Sequence, residues 1–155
     1  MHGNQIGVWT FDEDAAPLRQ LMGRLVVPTR DPGFTTVTHA LNDWLGQNEV
    51  GDGLLTVFLR HTSASLTIQE NTDPDVQADL LDALNRLAPE GSGYRHHLEG
   101  ADDMPAHIKS VLAGISLQIP VVSGQLDLGT WQAVYLVEHR RGAFQRTVTL
   151  HYTGA

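Results

Sequence analysis

Alternation of apolar and polar residues is clearest in three stretches of the chain. Over 54–61, Leu55, Val57, Leu59 and His61 share one face of an extended segment that is launched by the turn signal Gly51-Asp52-Gly53. Trp131, Ala133, Tyr135 and Val137 share a face over 130–138, as do Phe144, Arg146, Val148 and Leu150 over 144–152. Shorter runs at 65–69, 116–122 and 125–128 also read as strands, separated by turns such as Ser123-Gly124 and Arg140-Arg141-Gly142. Residues 18–27, with Leu18, Leu21, Leu25, Val26 and Val27, read as extended. Before them, residues 1–17 look like a leader that closes on the acidic turn Asp12-Glu13-Asp14 and Pro17.

The period changes to that of a helix in three places. Phe34, Val37, Leu41, Trp44 and Leu45 form one stripe, which predicts a first helix over 33–45 with Gly46 at its C′ position and His39 facing solvent. Asp73-Pro74 is a start signal for a second helix, an N-cap carboxylate followed by proline at the first helical position. Its face would carry Val76, Leu80, Ala83, Leu84 and Leu87, up to Pro89. A short third helix is predicted from Pro105 to Ala113, with Met104, Ile108, Val111 and Leu112 as its apolar stripe and Gly114 closing it. Residues 90–103 read as a glycine-rich acidic loop. Neither a repeat of 20–50 residues nor a low-complexity linker is present, so one α+β domain with a largely antiparallel sheet is the plain reading.

Composition narrows the chemistry. At 155 residues, burial of roughly two thirds of the unfolded surface is within reach of a single domain. With no cysteine there is no disulfide or thiolate site, so any transition metal must use His, Asp or Glu. A net charge of −8 argues against nonspecific nucleic-acid binding, which depends on Lys and Arg neutralising phosphates. A small phosphorylated ligand is compatible with it, given a metal ion or a few cations such as Arg60, Arg95 and Lys109. No apolar run approaches the roughly 20 residues that span a bilayer, and no basic region followed by an apolar core opens the chain. Neither membrane insertion nor export is therefore expected, and cytoplasmic residence is the default.

Three histidines stand in segments that should be ordered: His61 after the 54–61 row, His96 beside His97 in the acidic loop, and His107 at the margin of the third helix. Three neutral imidazoles are a common zinc ligand set that leaves a coordination position open. Each also has a plainer reading. His61 could be a core histidine bonded to backbone, His96 and His97 solvated loop residues, and His107 a helix-flank residue beside Val111. The carboxylates Glu70, Glu99, Asp102, Asp103 and Glu138, all near segment ends, could orient such rings. Thr62, Ser63 and Ser65 could bind phosphate oxygens or simply be strand-edge hydroxyls, and no Gly-x-Ser-x-Gly elbow makes Ser63 a nucleophile. Lys109 could meet a phosphate or lie on an exposed helix face. Trp131, in Gly129-Thr130-Trp131-Gln132, suits the core or a subunit interface better than substrate stacking.

The blocks His61-Thr62-Ser63-Ala64-Ser65-Leu66-Thr67-Ile68-Gln69-Glu70-Asn71, Asp73-Pro74-Asp75-Val76, Pro105-Ala106-His107-Ile108-Lys109 and Leu128-Gly129-Thr130-Trp131-Gln132, with Glu138, resemble the YjbQ family. They run in the family's order from about residue 20 to the C-terminus. The resemblance implies a two-sheet β-sandwich with about three helices, assembled as a homotrimer, and a metal site at His61, His96 and His107. The family usually has Asp or Asn where His97 stands, which makes His96 the ligand of that pair, and commonly Asn where Asp103 stands. The family is also labelled secondary thiamine-phosphate synthase, which implies a transferase joining a pyrimidine diphosphate to a thiazole phosphate with loss of pyrophosphate. A divalent cation would stabilise the leaving charge, Lys109 or Arg95 would assist, Thr62 and Ser63 would hold phosphate, and Glu70 would position groups or move a proton. Imidazole ligands favour zinc, whereas pyrophosphate departure usually employs magnesium on carboxylates. A zinc-dependent hydrolase of a small phosphorylated substrate and a non-catalytic trimeric metal- or metabolite-binding protein are the competing readings.

Overall fold

The computed structural model describes residues 17–91 and 93–155; the leader read over residues 1–17 lies outside them except for Pro17. Among the described residues, two antiparallel sheets and three helices make up the α+β sandwich anticipated above. In the larger sheet, β1 (Arg19–Arg30) pairs along its whole length with β8 (Ala143–Gly154). β8 then pairs with β3 (Gly53–Leu59), β3 with β5 (Ser116–Val122), and β5 with the short β6 (Gln125–Leu126). The β5–β6 hairpin turns on Ser123 and Gly124, both with positive φ (51° and 75°), the type I′ pattern that glycine permits at its second position. In the smaller sheet, β7 (Gln132–Glu138) lies between β2 (Gly33–Thr36) and β4 (Ala64–Glu70).

The alternation read from sequence decides which side of each strand meets the core. Leu55, Val57 and Leu59 of β3 and Val148, Leu150 and Tyr152 of β8 pack against Ala64, Leu66, Val134 and Leu136 of the smaller sheet. Helix α1 (Thr38–Gln47) adds Leu41 and Leu45 to the same core. Helices α2 (Pro74–Leu87) and α3 (Asp103–Ala113) pack on β2 and β4 respectively, so β7 is buried on both faces from Ala133 to Glu138. Among the described residues nothing covers the outer face of the larger sheet in this way: Met22, Val26, Leu54, Phe58 and Val122 are exposed on it.

Four expectations need correction. Residues 33–36 do not open a helix. They form β2, whose Phe34 pairs with Val137 and meets the Tyr135 ring edge-on at 5.6 Å. Phe34 and Val37 fit a helical stripe, but the β-branched Thr35 and Thr36 and an available edge on β7 favour the strand, and the Val37 N–H extends the ladder to the Val134 carbonyl. Helix α1 then runs past Gly46 to Gln47, with Asn48 as its C-cap. Helix α3 begins at Asp103, and its stripe is turned the other way. It buries Asp103, Pro105, Ala106, Lys109 and Ser110 on the side that packs on β4, while Val111 and Leu112 are exposed. Trp131 precedes β7 and is 62% exposed, which removes its core reading. The α2 start is as read: Asp73 Oδ1 accepts the Asp75 N–H at 2.9 Å and Pro74 opens the helix. None of its residues is fully buried, however, and Leu87 is exposed. No helix among the described residues is long and apolar enough to cross a membrane.

Candidate metal centre

Starting α3 at Asp103 places Asp103 and His107 four residues apart, on one helix face. The preceding loop returns His96 to the same spot. Ligand atoms of His96, Asp103 and His107 all lie within 4.8 Å of one another. His96 Nε2 is 2.5 Å and His107 Nε2 3.4 Å from the same Asp103 oxygen, Oδ2, and the two ring centres are 5.6 Å apart. Asp103 itself is 2% exposed, whereas His96 stays open to solvent.

Hydrogen bonds decide which ring nitrogens are available. His107 Nδ1 is 2.9 Å from the Thr62 carbonyl oxygen, which can only accept, so Nδ1 carries the hydrogen and Nε2 presents its lone pair toward Asp103. A carboxylate can only accept as well, so without a cation a proton must lie between His96 Nε2 and Asp103 Oδ2. A divalent ion would take that proton's place. Two imidazoles and one carboxylate suit zinc and also iron(II).

The far side of Asp103 is held by the β7–β8 turn. Arg140 Nη1 donates to Asp103 Oδ1, Arg140 Nη2 donates to the Glu99 carbonyl at 2.8 Å, and Arg140 Nε is 3.2 Å from Asp102 Oδ2. The Arg141 N–H also donates to Asp102 Oδ2, at 2.8 Å. Burial pushes the Asp102 carboxyl up, but the Arg141 N–H bond and the adjacent Arg140 guanidinium outweigh it and hold the group below its usual range. Beside His96 lies an open cavity of about 350 Å³ bordered by Tyr94, His97 and Gly100. A slightly larger one, about 380 Å³, lies between the ends of β1 and β8 at Thr29, Arg30 and Phe144 and does not border these histidines.

Of the residues singled out from sequence, His96 and His107 come together. His61 is not among the grouped donors. Its Nε2 accepts the Thr147 N–H at 2.8 Å, which places the neutral ring's hydrogen on Nδ1, and burial followed by Arg146 keeps the ring's pKa below its ordinary value. His97 hydrogen-bonds its own loop, through Nδ1 and the Arg95 carbonyl. Thr62 takes part through its backbone, and the Ser63 carbonyl faces Arg146 Nη2 at 3.5 Å. Lys109 is buried instead of lying on an exposed helix face. It donates to Asn85 Oδ1 at 2.7 Å, and burial lowers its pKa. Glu70 braces the turn into α2, its Oε2 accepting the Thr72 and Asp73 N–H groups. It sits opposite Gln132, at the other end of β4 from the Ala64–Glu138 pair, about 20 Å along the strand.

Sequence reading undervalued Asp103 and Arg140. The spacing Asp103-x-x-x-His107 is the signal that would have found the first; Arg140 looked like a turn residue. It also gave no role to His139, whose Nε2 lies 2.9 Å from Ser65 Oγ in a fully buried pair. Burial, with Lys109 nearby, lowers the His139 pKa to about 4.

A family model described as "UPF0047 protein YjbQ-like" matches residues 24–155. A UPF0047 protein of Synechocystis sp. is 49% identical over 141 residues, covering 90% of this chain and 96% of that protein. The UPF0047 protein YjbQ of Salmonella typhimurium is 50% identical over 109 residues, 70% of this chain and 79% of that one. Among solved structures, a hypothetical protein from Aeropyrum pernix superposes with a TM-score of 0.80 at 33% identity, covering 87% of this chain and 99% of that one. A conserved hypothetical protein from Thermus thermophilus does so with a TM-score of 0.75 at 40% identity, over 83% and 97%.

Proposed function

The chain belongs to the YjbQ-like UPF0047 family, and we propose that it is a metal-dependent enzyme acting on a small phosphorylated substrate, with the ion held by His96, Asp103 and His107. The observation that carries this reading is the single Asp103 oxygen facing two imidazoles, one of them held by the Thr62 carbonyl so that its Nε2 points inward. Zinc is the proposed ion, and magnesium, suggested by a diphosphate substrate, is the poorer fit because imidazole donors do not suit it. When bound, the ion would supply Lewis-acid polarisation of a phosphoryl oxygen and a water acidic enough to react near neutral pH.

The chain's own residues do the holding. Thr62 sets the His107 ring, Arg140 fixes Asp103, and the open flank beside His96 and Tyr94 leaves room for a substrate. Within this class, transfer to form thiamine phosphate is the finer reading implied by the family resemblance. Hydrolysis of a phosphorylated substrate is the second, favoured by a donor set of two histidines and one carboxylate and by Lys109 being committed to Asn85 rather than to a pyrophosphate. Purified protein is expected to hold close to one equivalent of metal per chain, measured by elemental mass spectrometry. His107→Ala and Asp103→Ala should lose it while keeping a cooperative unfolding transition. Folded variants with unchanged metal content would overturn the ligand assignment.

Assembly as a homotrimer belongs to the same proposal. The exposed residues Met22, Val26, Leu54 and Phe58 on the outer sheet face, together with Val111, Leu112 and Trp131, offer apolar surface for neighbouring copies. Light scattering should then give three times the 17.0 kDa chain mass, and a monomer at micromolar concentration would refute it.

A further inference from the structure

Asp103 has two oxygens, and they face different partners. Oδ2 lies against both imidazoles, at 2.5 and 3.4 Å, whereas Oδ1 is taken by the guanidinium of Arg140. The same guanidinium reaches the Glu99 carbonyl in the loop that carries His96, and its buried Nε lies 3.2 Å from Asp102 Oδ2 without a well-aligned hydrogen bond. Two acceptors from 99–103 are therefore bonded by one planar fork, with the Asp102 carboxylate beside it as an ion pair. The backbone of that fork is pinned in turn: Glu138 Oε1 accepts the N–H groups of His139 and Arg140, each at 3.0 Å.

We infer that Arg140 is a positioning residue for the metal centre: it reserves one Asp103 oxygen for the ion and blocks two-oxygen chelation, while setting the distance of the His96 loop. This rests on the metal reading above. An ammonium at this position would keep the charge but could not hold the Asp103 carboxylate and the Glu99 carbonyl at the fixed spacing of a planar fork, so lysine should be an incomplete substitute. A purely structural ion pair would lack that consequence for the ion.

The test is titration of metal-free wild-type protein, R140K and R140Q with cobalt(II), followed by its visible absorption, and then competition with zinc. Loss of a partner that orients a metal ligand costs about 10- to 100-fold in affinity. R140Q is expected to fall in that range and R140K between it and wild type, each with a cobalt spectrum altered at saturation. A merely structural role would lower the melting temperature and leave the saturated spectrum unchanged. Wild-type binding with unchanged affinity and spectrum in R140K and R140Q overturns this inference alone. A wild-type protein that binds neither ion overturns the metal reading and this inference together. If R140Q does not fold, R140K decides.

Discussion

Arg146→Met tests the packing beneath the site. Glu138 is 1% exposed and Arg146 4%, and they meet through Arg146 Nε and Nη2, at 2.7 and 2.5 Å from the two carboxylate oxygens. Thr29 Oγ1 donates to Glu138 Oε2 at 2.6 Å, and the His139 and Arg140 N–H groups donate to Oε1. Methionine would remove the two guanidinium bonds and the charge, leaving a buried carboxylate with its three other donors. Removing one partner of a buried pair costs about 3–5 kcal/mol, and the surviving donors put this case near the lower figure. Urea unfolding at neutral pH should show a loss of about 3 kcal/mol with the slope unchanged. The pH dependence carries the sign. Burial pushes the Glu138 carboxyl up, but hydrogen bonds from Arg146, Thr29 and the Arg140 backbone win and hold it below its usual range. A depressed folded value means stability that is complete above the unfolded carboxylate pKa, about 4.3, and lost as pH falls through the lower folded value. In the variant the folded value rises, so its deficit should narrow as pH falls toward that range. Pairing it with Glu138→Gln, which removes the buried charge but keeps an acceptor for Thr29 and the His139 and Arg140 N–H groups, should recover part of the loss. A single-variant loss below about 1 kcal/mol, the level of a surface pair, would refute the reasoning.

Two further outcomes separate structural from functional residues. His139, with its pKa lowered to about 4 from 6.5, is neutral when buried, so the folded state should lose up to about 3 kcal/mol as pH falls from 6.5 to 4. His139→Phe should flatten that slope, and a His139 ring resonance that titrates near pH 6.5 would contradict it. Glu70→Ala should cost about 1 kcal/mol, the scale of a lost cap, and leave metal content unchanged, because its carboxylate serves the Thr72 and Asp73 N–H groups. A loss of metal in that variant would return Glu70 to the site.

What the sequence could say about this fold ended where long-range pairing began. β3, β8 and the Asp73-Pro74 start of α2 were legible because alternation and capping are properties of a few adjacent residues. Phe34 was misplaced because one aromatic at helical spacing from Val37 and Leu41 fits either period, and only the free edge of β7 chooses between them. Helix α3 was found, but its buried face was misread for a related reason: a stripe of Val111 and Leu112 says that an apolar surface exists, not that this chain's own sheet covers it. The site follows the same division. His107 could be singled out beside its helix and His96 beside its loop, but their shared carboxylate was hidden by a helix start read two residues late. With the start at Asp103, the carboxylate and His107 fall one turn apart, and Arg140, a turn residue by its neighbours, becomes the group that faces the carboxylate from the other side. His61 teaches the converse. Its place at the end of an apolar row was correctly read, yet a row that runs into the core brings a ring to backbone donors such as the Thr147 N–H as readily as to a cleft.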